Sequence, residues 1–124
     1  MKPLSKSAAQ TLLERLDGAK EAIARVIVMR GPTGVSVEFS VQDAHRGFDW
    51  INIIFAIEGV RDARLPDDVA LRHLDMSEGI SLVFTSEGIG LANARCDTLT
   101  GVSEAQLYVI GDTVKYEERP FKEY

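Results

Sequence analysis

Cysteine is almost absent from this sequence, because Cys96 is the only one in 124 residues. A single thiol forms no internal disulfide, and we therefore expect a reducing, cytoplasmic location. Apolar runs are short, and none approaches the length of a membrane-spanning helix. The first 20 residues lack the apolar stretch of a secretory signal and are interrupted by Glu14 and Asp17, so we expect neither a signal nor a transit peptide.

The recurrent motifs of metal and nucleophile chemistry are also missing. The only two histidines are His45 and His73, and the sequence contains no CxxC, HxxxH, HExxH or GxSxG pattern. We therefore predict no metal site, no cofactor and no catalytic residue. Arg95 would lower the pKa of the neighbouring Cys96 thiol if their side chains converged. We interpret Cys96 instead as a small, partly buried residue at a strand end.

No basic block is present, although the chain has uneven charge. Residues 1–64 contain nine Lys or Arg and eight Asp or Glu, whereas residues 65–124 contain five and eleven, and the whole chain has a net charge of −5. Phosphate neutralisation supplies most non-specific affinity for nucleic acids. This acidic balance disfavours nucleic acid as a partner.

What is present is the composition of an ordinary globular protein. Hydrophobic residues make up 45% of the chain, and 124 residues suit one domain with a core of its own. We therefore predict a single domain over residues 1–124.

The first predicted element is a helix with an apolar stripe formed by Leu12, Leu13 and Leu16. Ser7 and Gln10 have the spacing of a capping box, and Gly18 suits a left-handed helix end. A longer helix reaching Ala24, with Gly18 inside it, is the alternative.

After residue 22 the pattern changes to the period of two that is typical of strands. Residues 22–30, AIARVIVMR, are followed by the turn sequence GPTG and by the alternating residues 35–41, VSVEFSV, which together predict a hairpin. Residues 50–60, WINIIFAIEGV, predict a long strand with a bend at Gly59.

The second half predicts further short strands around residues 80–84, 89–92, 107–110 and 113–118, with Gly111-Asp112 as a hairpin turn and residues 96–103 as a polar loop. Residues 67–76 fit either a helix or a strand, and we favour a short helix or irregular crossover. We therefore predict a mainly β (α+β) fold, in which an N-terminal helix precedes six or seven largely antiparallel strands forming a small barrel or sandwich.

The richest polar segment is residues 42–50, QDAHRGFDW, which connects two predicted strands. Loops held by a rigid scaffold often bind ligands, and a carboxylate beside an imidazole raises the pKa of the histidine. The candidate binding residues are Asp43, His45, Arg46 and Asp49. The alternative is a solvated connection in which Asp and Gly only turn the chain.

The long strand has apolar residues on both of its faces. Ile51, Ile53, Phe55 and Ile57 form one face, and the other includes Trp50, Ile54 and Ala56. A strand that is apolar on both faces needs a second covering layer. We expect that layer to be the N-terminal helix or a protein partner, and we take Trp50, Ile54 and Ala56 as candidate interface residues.

The layout of three segments resembles the plan of the Sm-like small β-barrels. These segments are the helix SAAQTLLERL, the hairpin VIVMRGPTGVSVEFSV and the long strand WINIIFAIEGV. The resemblance implies a bent five-stranded barrel and nucleic-acid binding, but the Sm RNA-binding motifs are not in the sequence. FAIEGVRDARL also resembles the F-x-x-x-G-V strand endings of small uncharacterised bacterial β proteins, some of which are immunity-type partners of toxins.

Three functional hypotheses follow from these observations. The first is a non-catalytic protein-interaction or self-associating β module, acting as a homodimer or with a protein partner and without a membrane. The second is an Sm-like nucleic-acid-binding protein, which would group basic residues such as Arg25, Arg46 and Arg64 on one surface. The third is a small enzyme using the carboxylates and His45 of residues 42–50, and we rank it last.

Overall fold

The computed structural model describes residues 1–123 and consists mainly of antiparallel strands. The strands are β1 (Lys2–Pro3), β2 (Ile23–Arg30), β3 (Gly34–Asp43), β4 (Asp49–Glu58), β5 (Asp62–Arg64), β6 (Ser81–Thr85), β7 (Gly88–Ala92), β8 (Tyr108–Gly111) and β9 (Thr113–Pro120). The helices are α1 (Lys6–Arg15), α2 (Asp68–Arg72) and α3 (Leu99–Val102). The predicted fold class is confirmed. The strands outnumber the six or seven predicted, because β1 and β5 are too short to give a periodic pattern.

The strands form two antiparallel sheets. The five-stranded sheet has the order β1-β9-β4-β3-β2, and the four-stranded sheet has the order β5-β8-β7-β6. Within residues 1–123 neither sheet closes into a barrel. The hairpin predicted around Gly31–Gly34 is confirmed, since Arg30 lies opposite Gly34 in the β2–β3 ladder.

Two neighbouring chain segments pass from one sheet to the other at a shared corner. β4 leads to β5 through Gly59, whose φ of +67° is the left-handed conformation that glycine tolerates. Beside it, β8 leads to β9 through Asp112, whose backbone N–H donates to the Glu58 carbonyl oxygen at 2.8 Å. The predicted bend at Gly59 is therefore confirmed. The predicted Gly111-Asp112 hairpin is wrong, because β8 pairs with β5 and β7 while β9 pairs with β1 and β4.

The first helix begins two residues earlier than the predicted capping box. Ser5 is the N-cap, and its hydroxyl oxygen accepts the Ala8 backbone N–H at 3.2 Å. The capping box at Ser7 is therefore wrong. Helix α1 ends at Arg15, and a 3₁₀ turn follows in which Gly18 has a φ of +70°. The longer alternative helix is thus also wrong.

Two short helices occupy the segments between the later strands. The short helix favoured for residues 67–76 is confirmed as α2, and Asp67 caps it by accepting the Ala70 backbone N–H. The polar loop predicted for residues 96–103 is wrong in part, because it contains α3. Thr98 starts α3 by accepting the Gly101 backbone N–H at 3.0 Å, and Val102 is buried against the four-stranded sheet.

The main core lies between the two sheets. The alternating residues of β3 and β4 that were expected to point inward are paired across the ladder, for example Val37 with Phe55 and Phe39 with Ile53. Phe39 and Phe55 meet edge to face, with ring centroids 6.3 Å apart. Apolar residues of α1 and of the four-stranded sheet belong to the same buried cluster. None of the helices in residues 1–123 has the length and apolar character needed to cross a membrane.

Candidate functional site

The predicted binding loop is held by a network centred on the buried Asp43. Asp43 ends β3 with its side chain only 2% exposed, and its Oδ1 accepts the His45 backbone N–H at 2.9 Å. Its Oδ2 lies 3.5 Å from Nε of Arg46 and 3.5 Å from Nε of Arg15 on α1. Asp43 therefore caps the 3₁₀ turn Ala44–Arg46 and ties it to α1.

The remaining loop residues do not form an acid–base pair around the histidine. Asp49 begins β4 and lies opposite Asp43 in the β3–β4 ladder. Within residues 1–123, the contact that joins His45 to Asp43 uses the backbone N–H of His45, and its imidazole donates to none of the loop carboxylates. The structure thus brings Asp43 and Arg46 together and leaves His45 without the partner that acid–base catalysis requires.

The candidate interface residues lie on the outer face, which is the side of the five-stranded sheet that points away from the four-stranded sheet. Trp50 is 36% exposed there, whereas Ile54 and Ala56 are only 3% and 4% exposed. Helix α1 does not cover them, because its buried residues pack into the core between the sheets. The expectation that α1 supplies the second layer is therefore wrong, and of the three residues only Trp50 is accessible to a partner.

A buried polar network crosses the outer face from β2 to β4. The Arg25 Nε donates to the Ser40 hydroxyl at 2.8 Å, and that hydroxyl donates to Asn52 Oδ1 at 2.7 Å. The Asn52 amide nitrogen in turn donates to Glu38 Oε2 at 2.8 Å and to the Lys122 carbonyl oxygen at 3.2 Å. Ser40 and Asn52 are both 0% exposed. A hydrogen-bonded buried network fixes its members rigidly, so this one orders both the sheet and the segment after β9.

The segment after β9 completes an aromatic cluster on the same face. Phe121 lies 6.1 Å from Trp50 between ring centroids, and the Arg25 guanidinium lies 5.9 Å from the Phe121 centroid. On the neighbouring edge strand β2, Val28 is 43% exposed and Ile23 is 41% exposed. We call these apolar residues the outer patch, which comprises Ile23, Val26, Val28, Trp50 and Phe121.

Most of the outer patch was missed in the sequence. Residues 22–30 were recognised as β-branched, but only the ladder shows that Ile23, Val26 and Val28 share the face of Ser40, Glu38 and Ser36, respectively. A bulge between Ala24 and Val26 shifts the register of β2 and hides this alternation. Phe121 carries no local signal, because its position depends on how the chain returns across the sheet.

The environment of Cys96 is the opposite of the one an activated thiol needs. Burial raises the pKa of the Cys96 thiol, and the carboxylates of Glu78, Asp97 and Glu104 raise that pKa further. Arg95 is not among the groups that shift this pKa, and the interpretation of Cys96 as a partly buried residue is confirmed. Among residues 1–123, no group of three or more histidine, cysteine or acidic side chains is arranged to hold a metal ion.

The basic residues named for nucleic-acid binding are distributed over several elements. Arg25 lies on β2, Arg46 lies in the 3₁₀ turn after β3, and Arg64 lies on β5 in the other sheet. Arg61 forms an ion pair with Asp112 at the corner between the sheets. No family model, no curated protein and no solved structure matches the chain.

Proposed function

We propose that this chain is a non-catalytic protein-interaction module that associates with a second copy of itself through the outer face of its five-stranded sheet. The outer patch is the observation that carries the proposal. Exposed apolar residues that stand alone are normal on a protein surface, whereas a group of them on one face marks an interaction site. Four of the eight large hydrophobic residues exposed in residues 1–123 belong to this patch.

The charge of the outer face supports a second copy as the partner. Seven charged side chains of its strands reach this face, four of them basic and three acidic, namely Arg25, Arg30, Lys115, Arg119, Glu38, Glu58 and Glu117. The face is therefore slightly positive on a chain whose net charge is −5. Because opposite charges nearly balance on this face, two copies that meet there repel each other less than two of the acidic surfaces elsewhere on the chain would.

The rigid network under the patch also favours binding. Asn52 and Ser40 fix the strands, and Asn52 additionally holds the Lys122 backbone next to Phe121. Aromatic side chains that are already ordered lose little entropy on association, so more of their buried area contributes to affinity.

Sedimentation velocity over a range of protein concentrations tests the proposal. The wild-type chain should show a reversible monomer–dimer equilibrium. Val28→Lys should weaken it, because each copy loses about 1.5 kcal/mol of apolar burial. In a two-fold dimer the loss counts twice, so the dissociation constant should rise about 100-fold.

Val69→Lys is the matched control. Val69 is 67% exposed on α2, and it lies outside the outer patch. This variant changes the net charge by the same amount and should leave the dissociation constant unchanged. A wild-type chain that stays monomeric at its highest soluble concentration contradicts self-association, and an equal loss in both variants assigns the effect to charge rather than to the outer face.

A further inference from the structure

We infer that the free edge of β2 pairs, strand to strand, with the same edge of a second copy of this chain, in an antiparallel register centred on Val28. This contact uses a sheet edge and is separate from the outer-face contact proposed above. It therefore gives each copy a second surface for self-association.

β2 is the longest free edge of the two sheets. It has eight residues, whereas the other edge strands β6, β5 and β1 have five, three and two. Its backbone is hydrogen-bonded to β3, and no other segment of residues 1–123 donates to or accepts from the backbone of residues 23–30. The edge of β6 differs, because the N–H of Ile80 beside it already donates to the Gly18 carbonyl oxygen. β2 thus offers a long row of unpaired N–H and C=O groups.

Helix α2 leaves the second half of this edge accessible. α2 lies against β2, but its one buried residue, Leu71, belongs to the core cluster between the sheets. α2 therefore approaches β2 from the core side. Val28 and Met29 are 43% and 64% exposed, so a further strand can reach the backbone beside them.

Residues 26–30 carry none of the features that protect edge strands. Proline, inward-pointing charges and bulges are common means of blocking an edge. The bulge of β2 lies between Ala24 and Val26, and from Val26 onward the ladder is regular. This regular segment, VIVMR, has no proline, no acidic residue and a single charge at its end. It is therefore open to pairing with another strand.

The segment is also apolar on both of its faces. Val26 and Val28 lie on the outer face, whereas Ile27 and Met29 lie on the core side. A strand added here removes apolar surface from water on both sides of the sheet, in addition to pairing the backbone.

The segment is complementary to itself, which selects a second copy as the occupant. Opposite residues of an antiparallel pair lie on the same face, so a two-fold axis must pass through one residue. An axis at Val28 pairs all of residues 26–30 with each other: Val28 meets Val28, Ile27 meets Met29, and Val26 meets the stem of Arg30. No two charges are then opposed. An axis at residue 27 or 29 would instead pair part of the segment with the bulge or with the turn after Arg30.

Hydrogen exchange of the full chain at low and high protein concentration tests the contact locally. The outward amides of residues 26–30 should exchange about twofold more slowly at a concentration where half of the chains are paired. Met29→Lys should abolish this slowing, because it places an ammonium group opposite Ile27 in both halves of the contact. Met29 lies outside the outer patch, so this variant keeps the outer-face contact. Phe121→Lys is the matched control, which weakens the outer-face contact and should keep the slowing.

Disulfide cross-linking tests the register in chains that carry Phe121→Lys and Cys96→Ser. Val28→Cys should link two copies on oxidation, because opposite Cα atoms in a ladder lie about 4.5–5.5 Å apart, within the range that a disulfide spans. Arg30→Cys is the control, since Arg30 is also exposed on β2. Its two copies would lie four positions apart along the strand, about 13 Å, and should not be linked.

The inference is overturned if exchange at residues 26–30 does not slow, if it slows equally in Met29→Lys, or if both cysteines cross-link equally. Slowing that disappears in Phe121→Lys also overturns it, because the outer face alone then accounts for association. If Met29→Lys abolishes all association and Phe121→Lys changes none of it, the edge contact is supported and the outer-face contact is the one that fails.

Discussion

Ile54 and Ile57 lie on opposite faces of β4 and are almost equally buried, at 3% and 1% exposure. Because burial is matched, replacing each residue with lysine tests how the surroundings of the side chain affect stability. Ile57 points into the core between the sheets, where its ladder neighbours are Val35 and Val114. Ile54 points to the outer face, where its ladder neighbours are Glu38 and Glu117.

Ile57→Lys should nearly abolish folding. Losing the buried side chain costs about 1.5–3 kcal/mol, and an ammonium group with no carboxylate opposite costs several kcal/mol more. The total of about 5 kcal/mol or more is comparable with the whole stability of a small domain, which is about 5–15 kcal/mol.

Ile54→Lys should leave a folded but weakened chain. The same apolar burial is lost, but the long lysine stem covers part of the surface that isoleucine covered. An opposite charge directly across the ladder stabilises the folded variant by about 0.2–1 kcal/mol. We therefore expect a net cost of about 1–3 kcal/mol.

Urea unfolding measures both variants, with Trp50 fluorescence and far-ultraviolet circular dichroism as independent probes. Trp50 is the only tryptophan, so the fluorescence reports on β4 itself. Dilute protein is required, because association through the outer face would add to the apparent stability. If the two variants lose equal stability, the outer face behaves as a second core, and the environment that we assign to Ile54 is wrong.

Two further predictions concern the polar network and the corner between the sheets. Asn52→Ala should destabilise the chain by about 3 kcal/mol, because it leaves the buried Glu38 with one donor fewer; a loss below about 0.5 kcal/mol in urea unfolding would refute this role. Gly59→Ala should cost more than Gly47→Ala in thermal unfolding, although both positions have positive φ. A Cβ at Gly59 would clash with the Asp112 carboxylate, whereas nothing lies within 4 Å of one at Gly47, and equal costs would show that the corner is not tightly packed.

The local pattern of the sequence was sufficient to predict most of the strands and their inward faces. Alternation in residues 35–41 and 50–58 identified Phe39 and Phe55 as core residues, because side chains on a strand point alternately to its two sides. Turn-forming residues located the first hairpin, and Asp67 indicated the start of α2. These features depend on residues that are close together in the chain, so they can be predicted from local sequence.

The contacts of the candidate site residues could not be predicted from the sequence, because neighbours decide what a polar residue does. Asp43 was named as a candidate binding residue or, alternatively, as a residue that turns the chain; it caps a turn and also contacts Arg15, which is 28 residues away in the chain. Gly111-Asp112 has the composition of a hairpin turn, yet the strands on either side of it belong to different sheets. In each example the local residues fit more than one structure. Contacts with residues that are distant in the sequence decide which structure forms.

The sequence by itself determined that this is a mainly β chain with an N-terminal helix, because period-two and helical spacing are local properties. Tertiary structure alone decided that the buried residues of α1 join the core between the sheets, that Ser40, Glu38 and Asn52 meet in one network, and that β6 is the last strand of its sheet. These arrangements depend on hydrogen bonds between strands that are distant in sequence. The sequence of a strand predicts which of its own residues share a face. It does not predict which strand lies beside it or what covers it.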